Sequence, residues 1–319
     1  MGLTGVSAPE AAWISSRAEI LLRHSPTCFI RHLLVEPQQK RHGTGAVARF
    51  GNRVGEEIFM AADKSSQWLV QHLPWDTDFF CTDTYRLFTG LFSSAATPAA
   101  LMAAATQLRI TLAARGPYYA FSVVPAEDTA LLQALTGGGW RLVETRLNFY
   151  CPVAAATLPE PAPVRLARPD EAAHIGRISA AARNPFDRFH ADPWFGKIRA
   201  DALLVRYAEA AVEGSYADAV LVPDAPGLPV DSFLAISDTS AEAGVPGSGS
   251  SRVLLTAVGP ANRGWHLQLV AETVRRAAVL SLPHVLMTTQ ATNGAVFRTC
   301  EKLGFRLGGT SHVLACHGG

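Results

Sequence analysis

A chain of 319 residues has room for two domains, or one doubled domain, around a large core. A net charge of +1 with 17% charged residues gives no bulk attraction to nucleic acid or anionic lipid, and no apolar run reaches the ~18 residues of a membrane span. The cysteines (Cys28, Cys81, Cys151, Cys300 and Cys316) are odd in number and contain no C-x-x-C, which argues for a reducing cytoplasm and against a disulfide frame or a zinc site.

Residues 1 to 70 are the least readable and stand as an N-terminal extension of uncertain structure. Glu10, Arg17 and Glu19 interrupt its apolar residues, which does not fit a signal peptide, and Met1-Gly2 lacks the hydroxyl residue that myristoylation needs at position 6. Ala8 to Leu22 is expected as a helix, Cys28 to Val35 as a strand, and Pro37 to Gly45 as a polar, basic turn. His24, His32 and His42 have no metal-ligand spacing, and no metal site is expected. In Leu73 to Phe80, Trp75, Phe79 and Phe80 read as core, with Asp76 and Asp78 capping a turn or helix start.

Pro152 to Pro163 has the composition of a linker. Val164 to Arg168 then reads as a strand, Asp170 as the cap of a helix through Ala182, and Pro193 to Glu213 as a second helix. Asp218 to Val222 and Val230 to Ser237 read as strands, followed by a Gly/Ser-rich hairpin tip over Ala241 to Ser251. Val253 to Val258 is a β-branched-rich strand ended by Gly259-Pro260. Leu267, Val270, Val274 and Ala277 lie at helical spacing, Val285 to Thr289 is a strand, and a short helix from Asn293-Gly294 stops at Gly304.

The chain also repeats. Shifted by 165 residues, Tyr85 to Ser93 lies over Ser250 to Val258, Tyr119 to Val124 over His284 to Thr289, and Leu131 to Thr145 over Val296 to Thr310, without a gap. The copies differ at one turn. Thr97-Pro98-Ala99-Ala100 stands where the second copy has Asn262-Arg263-Gly264-Trp265, and Asp128 stands for Asn293. Pro98 removes an N–H, so the first copy reads as a packing and substrate-framing module.

A strand, a turn and a helix N-terminus leave N–H groups pointing out from about Arg263 to Gln268, where the helix dipole favours a phosphate. In the order V-x-P-x-x-R-G, T-Q-x-x-N-x-A and E-K-L-G-F, residues Val258, Pro260, Arg263, Gly264, Thr289, Gln290, Asn293, Ala295, Glu301, Lys302, Leu303, Gly304 and Phe305 resemble the GCN5-related N-acetyltransferases. The stretch from Leu73 to Phe80, with Arg188 to Phe195, resembles their dTDP-fucosamine acetyltransferase branch. The resemblance implies an α+β or α/β fold: a mixed central sheet with flanking helices, preceded by a truncated half of the same kind in tandem. The division expected is 71–151 for that half, 152–163 for the linker and 164–319 for the acyltransferase domain.

The resemblance also implies acetyl-CoA as co-substrate and a small-molecule amine as acceptor, the amino group of a nucleotide-linked deoxysugar being one form, with no nucleic acid or membrane partner and a homodimer as a candidate assembly. Thr256, Ala257 and Val258 would hold the pantetheine, Arg263, Gly264, Trp265, His266, Leu267 and Gln268 the pyrophosphate, and Asn293 the cofactor arm. His266 and Gln268 depart from the glycines usual at this turn. Cys300 stands where the family commonly has a tyrosine that protonates the leaving thiolate. Two readings of it stay open, a catalytic acid and a buried packing residue on the face of Val296 and Leu303. His190, with Asp192 and Asp238 behind it, is the candidate base. Arg188, His190 and Asp238 are candidates to bind the substrate. The alternative to an enzyme is a non-catalytic acyl-CoA or sugar-nucleotide binding protein on the same scaffold.

Overall fold

Strands with apolar residues on both faces, and helices with apolar residues three or four apart, build two units, Met1–Thr145 with Gly309–Gly319 and Arg146–Gly308. The structure is a computed structural model that describes residues 3–240 and 248–318. Expectations for the hairpin tip at 241–247 lie outside the described residues.

The first unit opens with β1 (Thr4–Val6), α1 (Ala11–Ser16), α2 (Ala18–Leu22), α3 (Val35–Arg41), α4 (Thr44–Ala48), β2 (Glu56–Met60) and β3 (Ser66–His72). It continues through α5 (Pro74–Phe80), β4 (Asp83–Phe92), α6 (Pro98–Ala113), β5 (Tyr118–Pro125) and α7 (Thr129–Gly137) into β6 (Arg141–Pro152). On β3 the alternation is plain. Trp68 and Val70 pack with α6 and α7 through Leu101, Leu108, Leu131 and Leu135, while Leu69 faces Ile14, Leu21, Val47 and Phe50 of the N-terminal helices. Residues 1 to 70 therefore belong to the first fold. Among the described residues β1 to β4 precede α6 in that half.

Three expectations in this region change. Residues 28–34 form turns instead of a strand, because the buried side chains are Ile30 and Leu33, three apart, with Arg31, His32 and Leu34 exposed. Pro37 to Gly45 contains most of α3 and the start of α4; Pro37 falls in the first turn, where its missing N–H has no helical partner to lose. Trp75 is 42% exposed and stacks on Phe79, so only Phe80 of the three aromatics is buried.

The second unit contains β7 (Val164–Leu166), α8 (Ala172–Ala181), α9 (Arg188–Ala191), α10 (Gly196–Val212), β8 (Ala219–Pro223), β9 (Ser232–Thr239) and β10 (Ser250–Val258). Then come α11 (Trp265–Val279), β11 (His284–Gln290) and α12 (Gly294–Leu303), and β12 (Arg306–Gly318) passes into the first unit after Gly308. Leu269, Val270, Val274, Val296 and Leu303 of α11 and α12 form one apolar layer on the sheet, and Ile175, Ile178, Ala208 and Ala211 of α8 and α10 form the other. Glu171, not Asp170, stands at the cap position of α8, and its carboxylate turns back, accepting twice from Arg165 and once from the Arg168 N–H, which pulls its pKa down to about 2. The proline-rich stretch after β6 is no loose tether. Val153 N–H donates to Pro283, Thr157 N–H to Leu303, and Arg275 to the Pro159 carbonyl.

Each unit is closed by the other copy's last strand. In the first, the order is β1-β2-β3-β4-β5-β12, with Ser311–Gly318 of β12 antiparallel to β5. In the second it is β6-β11-β10-β9-β8-β7, with residues 146–152 of β6 antiparallel to β11. Among the described residues no helix is long and apolar enough to cross a membrane.

Candidate functional site

In the second unit β10 and β11 run parallel and pair from Ser250/His284 only to Val253/Met287. At Leu254 the register of β10 against β9 shifts, and beyond it β10 keeps β9 as its partner while Thr288–Gln290 of β11 pair with β6. A bulge bends and twists its strand. The two strands thus part, and the backbone groups of Thr256, Ala257 and Val258 on the β11 side are left for something else. Thr256 is itself steadied by a bond from its hydroxyl to Phe233 O, at 2.9 Å.

The turn that follows is braced from below. Asn262 is fully buried. Its Oδ1 accepts from Asp231 N–H and the Ser232 hydroxyl, both at 2.8 Å, and its Nδ2 donates to Pro229 O at 3.1 Å. Asp231 in turn accepts from Ala261 N–H at 2.8 Å and lies where a side chain at Gly259 would collide with it. Sequence reasoning missed both residues, since no local spacing ties Asp231 to a turn thirty residues later. Gly264 then takes a left-handed conformation (φ +94°), and α11 starts without a side-chain cap. Arg263 beside it is exposed.

His266 and Gln268 do not spread across this turn. His266 Nδ1 meets the Thr299 hydroxyl at 3.0 Å on α12, and burial lowers its pKa to about 4, so the ring is neutral near pH 7 and is no cationic phosphate donor. The Gln268 Oε1 and His266 Nε2 are both shut off from solvent, with no hydrogen-bond partner among the described residues. Trp265 and Leu267 are half-buried in the same turn. An uncapped helix start, a neighbouring arginine and a parted strand edge fit a pyrophosphate on an extended arm, which is the shape of CoA.

The equivalent place in the first unit is filled. There β4 and β5 pair only from Asp83/Tyr118 to Arg86/Phe121 before parting. Arg17 lies between their ends, its guanidinium 4.3 Å from the Phe92 ring centroid and 2.6 Å from Asp128. The helix start is also spent: Pro98 opens α6, and the Thr97 hydroxyl accepts from Ala100 N–H.

The remaining candidates lie elsewhere or are engaged. Asn293 caps α12 through Val296 N–H and donates to Thr289, as Asp128 caps α7, so its side chain serves the strand-to-helix turn. Cys300 is 1% exposed in the apolar layer with Val296, Leu303 and Cys151, and burial pushes its thiol up to about 12. That is the packing reading. Cys300→Ala is expected to cost about 1–2 kcal/mol of stability and to leave turnover within about twofold, measured by urea unfolding and by thiol release.

His190 has both ring nitrogens on carboxylates, Nδ1 on Asp187 at 2.8 Å and Nε2 on Asp201 at 3.0 Å, so it ties α9 to α10 and both nitrogens are engaged within the fold. Arg188 is buried, with its guanidinium over Phe189. Asp238 bonds Ser251 and pairs with Arg276 at 2.9 Å, opposite the start of β10 and so at the far end of that strand from Val258.

Neither a protein-family model nor a curated protein matches the sequence. Solved structures do. The chain is similar to a GCN5-related N-acetyltransferase from Sphaerobacter thermophilus, at 12% identity and TM-score 0.52 over 99% of this chain and 95% of that one. It is also similar to the glucosamine N-acetyltransferase region of a fungal multi-domain GH3 β-N-acetylglucosaminidase, at 11% identity and TM-score 0.56 over 99% of this chain and 38% of that one. The fold is that of the GCN5-related N-acetyltransferases. Within this N-acetyltransferase fold, the parting of β10 from β11 and the bare start of α11 are features of the second unit. The first unit keeps the parting and closes it with Arg17.

Proposed function

We propose that the protein is an acyl-CoA-dependent N-acyltransferase with its acyl-CoA site in the second unit. The observation that carries this is the parting of β10 from β11 beside the uncapped start of α11. Acetyl-CoA, when bound, supplies a thioester carbonyl for a neutral amine to attack. Backbone groups of Thr256 to Val258 hold its arm and polarise that carbonyl. The first N–H groups of α11 and the Arg263 guanidinium hold the pyrophosphate. Asn293 keeps the turn after β11 in place. Since His190 is bound on both sides and Cys300 is buried, water carries the proton from the attacking amine to the CoA sulfur as the C–N bond forms and the C–S bond breaks, releasing amide and CoA thiol, and the chain acts by positioning and polarisation.

The acceptor in this reading is a small-molecule amine, the amino group of a nucleotide-linked deoxysugar being the finer form; Arg188 and His190 do not supply its diphosphate contacts. The cytoplasm is the setting, with a homodimer as the assembly to test. Arg263→Glu is expected to weaken acetyl-CoA by about 1–3 kcal/mol, roughly 5- to 150-fold in Kd. Calorimetry on the folded variant decides it, and unchanged affinity would move the site away from this turn. A second reading, an acyl-CoA binding protein without catalysis, draws on the engagement of both side chains first taken as catalytic. Thiol release from acetyl-CoA across a panel of amines separates the two: binding without release favours the second.

A further inference from the structure

Among the described residues, one cation in the second unit lacks the partner that its burial calls for. Arg252 is half-buried on β10, and among the described residues it has neither an ion pair nor a side-chain hydrogen bond. Burial lowers its pKa, with no carboxylate offsetting the effect. A charge withdrawn from water is costly unless a counter-ion and hydrogen bonds replace the solvent. Two other arginines show the ordinary arrangement: Arg17 sits on Asp128, and Arg276 on Asp238.

Its position says where the missing anion would come from. Arg252 is the residue before Val253, where the parallel ladder of β10 and β11 ends. Val253 belongs to the layer under α11 and α12, so Arg252 faces the other side of the sheet, the side of Phe233, Ala235 and Ala257. The register places it beside Leu286 of β11, which in turn lies beside Tyr150 of β6. In the next row Thr288 is exposed, with its hydroxyl on Asn148 at 2.8 Å. At the end of β11, Gln290 accepts from Asn184 of the segment after α8, at 2.8 Å. A polar sheet face thus runs from the arginine toward the place where the strands part. From Arg252 to Thr256 is four residues of strand, roughly 13 Å.

We infer that Arg252 binds an anionic group on the acceptor, so that the acceptor is an amine that also carries a carboxylate or a phosphate. This rests on the acyltransfer reading for the amine, but the anion site itself does not depend on it.

The experiment uses Arg252→Met, which keeps much of the volume and removes the charge. Without ligand, the variant is expected to melt at least ~2 °C higher than the wild type, because an uncompensated buried charge has gone. A lower melting temperature would mean that the chain itself supplies the counter-ion, and would overturn the inference. The second arm adds glutamate, or phosphoethanolamine, to protein saturated with CoA, so that the CoA phosphates already fill their own site. At least one is expected to raise the melting temperature of the wild type and neither that of Arg252→Met; which one acts tells carboxylate from phosphate. Equal shifts in both proteins, or none in the wild type, would overturn it. The third arm compares glucosamine 6-phosphate with glucosamine, and glutamate with glutaminamide, in which both carboxylates are amides, by thiol release. The anionic member of at least one pair is expected to be favoured about tenfold or more in kcat/KM, with the preference lost in Arg252→Met mainly through KM. No preference in either pair would also count against the anion site. If acetyl-CoA fails to bind in calorimetry, the acyltransferase reading falls; the first arm, and the second repeated without CoA, still decide whether Arg252 holds an anion.

Discussion

Arg17→Ala is expected to cost the protein about 3–5 kcal/mol of stability, measured by urea unfolding. The Arg17 and Asp128 side chains are 10% and 1% exposed and meet at 2.6 Å, so removing either leaves the other charge buried without its counter-ion. Among the described residues Asp128 then keeps the Leu131 N–H that it accepts as the cap of α7. Asp128→Asn, which copies the residue at the equivalent position of the second unit, should be as damaging, because a neutral cap leaves the guanidinium stranded against Phe92. The double change Arg17→Met with Asp128→Asn should recover a large part of the loss, since neither charge then remains. Losses under about 1 kcal/mol for both single variants would show that the pair is solvated and does not close the first slot. The same slot gives a functional readout. Calorimetry on the wild type should find one acetyl-CoA per chain, and two would mean that the first unit is open.

Trp140→Ala and Phe305→Ala should each lose about 3–5 kcal/mol. Trp140 is 2% exposed among Trp68, Leu131 and Leu135, and Phe305 is 8% exposed among Leu303, Val285 and Cys151. Each follows a glycine in the left-handed region, Gly139 at φ +85° and Gly304 at φ +79°, which turns the chain from helix to strand and aims the aromatic into the core. Trp140→Phe should cost much less than the alanine change. It takes the residue found in the other copy and removes an indole N–H with no partner among the described residues. A loss near zero for either alanine variant, in denaturant unfolding followed by circular dichroism, would show that the two positions are not equivalent anchors.

That equivalence was legible in the sequence, and the elements keep it closely. Helices α7 and α12 begin at Thr129 and Gly294, and strands β6 and β12 at Arg141 and Arg306, each pair 165 residues apart. Periodicity, glycine stops and the Arg263-Gly264 turn are local properties, written in a few neighbouring residues, and they located the strand, the turn and the helix of the candidate site. The bracing of that turn was not legible, because Asn262 works through Asp231, Ser232 and Pro229 on another strand. His190 read as a free base for the same reason. A histidine's chemistry is set by what meets its two nitrogens, and here Asp187 and Asp201 meet both.

By itself, then, the sequence determined the two copies, the order of their elements, and which copy retains a helix start free of proline and of a capping hydroxyl. Only the tertiary structure decided that β6 completes the second sheet and β12 the first. A strand's own residues state which face is apolar but not which edge will accept its hydrogen bonds. The tertiary structure also decided that Arg17 fills the first slot and that Arg252 is left without a counter-ion among the described residues. A charge becomes paired or stranded only when distant segments pack around it, Asp128 coming from 111 residues beyond Arg17.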